Sequence, residues 1–123
     1  MKLNQITTVI VFLLYSITVI GVDKRVSPYK ILNREELGSK KLSLDVQVGL
    51  VDGRLPNEQE LGEISIYLVS KEKKHDRTFV LFYLPGMKVG SGAFASAHHN
   101  PTMEVKIMKF MLQPYSQYRK YLK

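Results

Sequence analysis

Leu42 to Val51 reads LSLDVQVGLV. Leu42, Leu44, Val46, Val48 and Leu50 fall at every second position, with Ser43, Asp45, Gln47 and Gly49 between them. Successive side chains of a strand point to opposite faces, so this stretch makes a strand with one buried and one wet face. Asp52-Gly53 then supplies a turn. Next comes Leu55-Pro56-Asn57-Glu58-Gln59-Glu60. Asn57 is suited to cap a helix, and Glu60 three residues on completes the spacing of a capping box. The acids there also meet the positive end of the helix dipole. Leu61, Ile64 and Leu68 recur at helical spacing, which predicts a helix to about Lys73, with Lys71, Lys73 and Lys74 in its last turn. ISIYLV at 64–69 also fits a strand; the acidic start decides for a helix.

Downstream, His75-Asp76-Arg77 reads as a loop. Thr78 to Leu84 (TFVLFYL) is aromatic and β-branched, a strand expected to be buried on both faces. Pro85-Gly86 ends it. After a flexible bend at Gly90-Ser91-Gly92, Ala93 to His99 reads as a strand whose Ala93, Ala95 and Ala97 leave room on one face for the helix or a ligand. Asn100-Pro101 is a turn, Met103 to Phe110 an alternating strand with Val105 and Ile107 inward, and residues 113–123 a tail. Upstream, residues 22–40 read as a linker with one helical turn near Asn33–Leu37, capped by Asn33 and ended by Gly38. The expected fold class is α+β. It is a small two-layer domain over 41–112, with a mostly antiparallel sheet of about four strands in the order β-α-β-β-β and one main helix.

An apolar N-terminal helix precedes it. Ile6 to Gly21 (ITTVIVFLLYSITVIG) carries no charge and follows Lys2. This is the layout of a secretory signal peptide over residues 1–21, with Val19 and Gly21 before the cut. Ile6 to Val22 also reaches the about 17 residues that a membrane anchor needs at minimum. A buried core helix is a third reading. The first two place the rest of the chain outside the cytoplasm, periplasmic or extracellular, or held to the inner membrane by residues 6–22. The chain has 123 residues and no Cys. That length suits one domain. The missing Cys excludes disulfides, a thiol nucleophile, an iron–sulfur centre, a Cys-type zinc site and a lipoprotein anchor.

Three groups of residues carry chemistry. His98-His99-Asn100 ends a strand, and neighbours on a strand face opposite ways, so His98 and His99 share a metal only if the strand bends before Pro101. With His75 at the same edge, His75, His98 and His99 would form a metal site, with Asp76 as a further ligand; the plain reading is solvent-facing imidazoles. Ser96 and His98 share a face, with Asp45 and Glu104 as candidate acids, but their spacing along one strand is too wide for a nucleophile–base contact. The loop Met87-Lys88-Val89-Gly90-Ser91-Gly92 lacks the phosphate-loop layout, because Lys88 precedes the later glycines and no helix follows. It reads as a mobile hairpin loop or as the rim of a small pocket, with Met87, Lys88 and Ser91 as contacts alongside His98, His99 and Asn100.

Charge is uneven. The net charge is +7, yet residues 22–104 are close to balance. Residues 105–123 carry Lys106, Lys109, Arg119, Lys120 and Lys123, no acid, and interleaved Tyr115, Tyr118 and Tyr121. Arg119, Lys120 and Lys123 therefore suit an anionic membrane surface or an acidic partner; the alternative is a solvated tail with Tyr packed on the domain. Export argues against nucleic acid.

Tyr83-Leu84-Pro85-Gly86-Met87 and Gly92-Ala93-Phe94-Ala95, within Phe79–Ile107, resemble the core of small bacterial domains of uncharacterised function. The resemblance spans about a third of the chain and implies a compact α+β module with no known activity. The expected function is that of a small exported envelope protein, a binding or accessory module without catalysis, taking an envelope protein or small-molecule ligand. The alternatives are a small metal-dependent or His-assisted hydrolase and a single-pass anchored subunit of a membrane complex. No cofactor is implied.

Overall fold

The computed structural model describes residues 26–100 and 102–123. The apolar run of residues 6–22 lies outside them. Among the described residues no helix is long and apolar enough to cross a membrane.

One five-stranded sheet and one main helix form an α+β domain. The strands are β1 (Tyr29–Leu37), β2 (Lys41–Val48), β3 (Arg77–Tyr83), β4 (Ala95–His99) and β5 (Met103–Ile107), side by side in that order. The pairs β1/β2, β3/β4 and β4/β5 are antiparallel, and β2/β3 is parallel. The helix α1 (Glu58–Ser70) is the crossover that the parallel pair requires.

The strand at 42–48 behaves as its alternation demands. Leu42, Leu44, Val46 and Val48 are buried, and the residues between them are half-buried. Asp52 and Gly53 both take positive φ, 50° and 77°, in a tight turn closed by Val51 and Arg54. Positive φ at both central positions marks a type I′ turn, the one in which Asp-Gly is favoured. The capping box at Asn57 is complete: Asn57 Oδ1 accepts from the Glu60 backbone N–H at 2.8 Å, and Glu60 accepts from the Asn57 N–H at 2.9 Å. Arg54 adds a bidentate pair to Glu60, both contacts at 2.8 Å.

α1 lies over β4 and β5, on the face where Ala95 and Ala97 are buried. Gly62 lets it approach: a Cβ there would stand 3.2 Å from Met103 and 3.6 Å from Val105. Leu61, Ile64 and Leu68 join Phe82, Phe94 and the β2 side chains in one core.

Five expectations need correction. The sheet has five strands, because the stretch read as a linker carries β1. Its backbone pairs with β2 around a bulge between Ile31 and Asn33, while its side chains stay mostly exposed. An edge strand is fixed by its partner's hydrogen bonds, and charges on it guard against pairing with other chains, so it leaves little apolar periodicity. α1 ends at Ser70, which puts Lys71, Lys73 and Lys74 beyond the helix. β3 is fully covered on one face only, with Phe79 and Leu81 half-buried on the other. The final strand stops at Ile107, and the stretch read as a tail packs on the core. Two 3-10 turns, Lys109–Leu112 and Ser116–Leu122, bury Leu112 and Tyr118.

Candidate functional site

The topology gives the sheet two unlike ends. β2 and β3 finish at Val48 and Tyr83, beside the starts of β1 and β4 and the last residue of β5. The other end gathers Leu37, Lys41, Arg77, His99 and Met103.

At this second end the connection from α1 to β3 carries His75. The Asp76 and Arg77 N–H groups donate to Ser39 and Lys40 carbonyls, tying the connection to the β1–β2 turn. The His75 side chain is fully enclosed, and its Nε2 lies 2.7 Å from Glu36 Oε2. That bond, reinforced by Lys73 and Arg34 against the opposing effect of burial, holds the Glu36 carboxyl below the usual carboxylate range. An ionised carboxylate only accepts, so His75 Nε2 carries the hydrogen. His75 Nδ1 is enclosed and has no hydrogen-bond partner among the described residues. Arg34 binds Glu72 at 2.7 Å and holds its carboxyl low as well.

His99, the last residue of β4, faces α1. Its Nε2 shares a hydrogen bond of 2.8 Å with the Ser65 hydroxyl, which is fully buried in the helix. Burial first, and the neighbouring His98 second, push the His99 imidazole below its ordinary pKa. Between His75 and His99 runs an open groove of about 680 Å³, lined also by Glu72, Lys74, Asp76, Thr78 and Asn100.

His98 points to the opposite face. Its ring stacks on Phe79 at 4.2 Å and 14°, and Lys41 and Arg77 lie 5.2 and 5.9 Å from the centre of the Phe79 ring. The three imidazoles therefore do not converge: His75 and His99 share the groove, and strand alternation carries His98 away. Among the described residues no group of three or more His, Cys, Asp or Glu is placed to hold a metal.

The pocket edge expected from Met87–Gly92 together with His98–Asn100 is not assembled either, because β4 separates the two segments along its length. Met87 is buried, and its Sδ accepts from the Leu84 N–H. The loop is pinned. The Lys88 N–H donates to the Tyr115 hydroxyl, the Gly90 N–H to the Tyr83 hydroxyl, and the Ser91 N–H to the Lys88 carbonyl. Lys88 and Ser91 themselves are exposed. Tyr118 donates to the Pro85 carbonyl and Tyr121 to the Gly53 carbonyl. Arg119 donates to the Gln113 carbonyl at 2.8 Å, Lys120 lies over the Tyr121 ring, and Lys123 is exposed.

Sequence reasoning missed two partners. Ser65 was visible as a hydroxyl inside the apolar stripe Leu61–Ile64–Leu68. Glu36 gave no signal, because its meeting with His75 spans 39 positions of chain. No family model, curated protein or solved structure matches the chain.

Proposed function

We propose that the chain is a small binding or accessory module of a bacterial envelope, without catalysis of its own, whose ligand groove lies between His75 and His99. The observation that carries this reading is the His75 imidazole. Its Nε2 bonds Glu36, and its enclosed Nδ1 has no hydrogen-bond partner among the described residues, which leaves a polar atom unmet behind the groove wall. The groove suits a small polar ligand within a rim of mixed charge from Glu72, Lys74 and Asp76. Complete enclosure of Ser65 supports binding over nucleophilic chemistry, since an attacking hydroxyl must reach its substrate.

The test follows the imidazole and backbone amide resonances of the full chain by NMR while amino acids, dipeptides, monosaccharides and inorganic anions are added. A ligand should move the His75, His99 and Asn100 signals and leave those of Lys88 and Ser91 in place. A panel that moves only Lys88 and Ser91 overturns the assignment. Zinc retained through purification and lost in His99→Ala would favour the metal-dependent hydrolase instead.

A further inference from the structure

We propose that the end of the sheet opposite the histidine groove is a docking face for an anionic lipid bilayer. Residues 84–94 and 105–123 meet there, through Lys88 to Tyr115, Tyr118 to Pro85, and Met108 N–H to the Phe94 carbonyl. These two segments carry Lys88, Lys106, Lys109, Arg119, Lys120 and Lys123, all exposed, and no acidic side chain. Glu104 stands two residues before Lys106 on β5, and Asp52, Glu58 and Glu60 lie before and at the start of α1, where Glu60 is already paired with Arg54.

Apolar side chains stand among the cations. Phe110, next to Lys109, is 68% exposed, and Val89, next to Lys88, is 40% exposed. Leu50, just beyond β2 at the same end, is also 40% exposed. Cations beside protruding apolar groups fit a bilayer interface, where the charges meet anionic headgroups and the apolar groups enter the acyl boundary. An acidic polymer without apolar groups would use the cations and leave Phe110 in water. The chain also enters the fold here, because Tyr29 pairs with Val48. Residues 23–28 separate Tyr29 from the apolar run 6–22, and six residues span at most about 20 Å. A bilayer holding that run would meet this end first and leave the histidine groove facing away.

The chain has no Trp, so one introduced Trp reports one position. Phe110→Trp probes this end. Leu37→Trp, at a residue 66% exposed beside the β1–β2 turn, probes the opposite end. Both side chains are outside the core. Each full-length variant is mixed with phosphatidylcholine vesicles, with or without phosphatidylglycerol, and with brominated lipid as quencher. Any contribution of residues 6–22 is common to both variants. With phosphatidylglycerol present, the Trp at 110 should shift to the blue and be quenched, while the Trp at 37 should do neither. Neutralising Lys109, Arg119 or Lys120 with Gln should weaken vesicle binding about five-fold per side chain, and about 0.5 M salt should abolish the difference. Equal responses at 110 and 37, no response at 110, or the same response on uncharged vesicles would overturn the proposal. So would tight binding of soluble polyglutamate with no response to vesicles, which would assign the face to an acidic polymer.

Discussion

At the histidine end of the sheet, Arg34, Glu36, Glu72 and Lys73 meet as ion pairs across the β1 edge, with His75 hydrogen-bonded to Glu36. At the basic end, tyrosine hydroxyls reach backbone groups while Leu112 and Tyr118 fill the core beneath them. Exposed ion pairs add little stability and are screened by salt, whereas apolar burial adds most of what holds a small domain together. The cation-rich end owes its structure to packing, and among the described residues its cations form no ion pair with an acid. The balanced end spends its charges on itself.

The largest test of this contrast is Leu112→Ala. Removing a fully buried Leu that fastens the last segment should cost about 2–5 kcal/mol, read as a lower urea midpoint. Gly92→Ala comes next. Its φ of +119° disfavours any side chain, and a new Cβ would collide with Met111 Cε. The left-handed backbone alone costs on the order of 1–2 kcal/mol, and shifting Met111 adds to it. Tyr118→Phe keeps the packing and removes the bond to Pro85, so it should cost about 1 kcal/mol by the same measurement. Arg34→Ala at the histidine end should lower the midpoint least, and by an amount that shrinks as salt is added. A drop for Arg34→Ala equal to that for Leu112→Ala would break the contrast.

Acid and alkali should separate the ends as well. Above about pH 6.5 His99 is neutral whether the chain is folded or unfolded. Below it the unfolded chain takes up a proton that the folded site resists, so stability falls with pH there, and His99→Gln should remove that step. Glu36 and Glu72 are held low in the fold. Their contribution is complete above about pH 4.3 and is lost as pH drops further. At the basic end, burial and then Tyr121 raise the Tyr118 pKa. Above about pH 10 the unfolded chain ionises first and stability falls again, less so in Tyr118→Phe. Thermal unfolding followed across the pH range checks all three.

The elements with local causes were legible in the sequence. β2 followed from strict alternation, the start of α1 from Asn57 and Glu60, and the turn at Asp52-Gly53 from residues suited to positive φ. Each depends on neighbours within a few positions, so the sequence alone determined them, together with the α+β class. Only the tertiary structure decided β1, which its partner's backbone recruits, and the seating of the last segment, whose Leu112 and Tyr118 find their cavity across the whole fold. The same holds for the groove. His75 finds Glu36 and His99 finds Ser65 over separations of 39 and 34 residues, distances at which no local pattern records who meets whom.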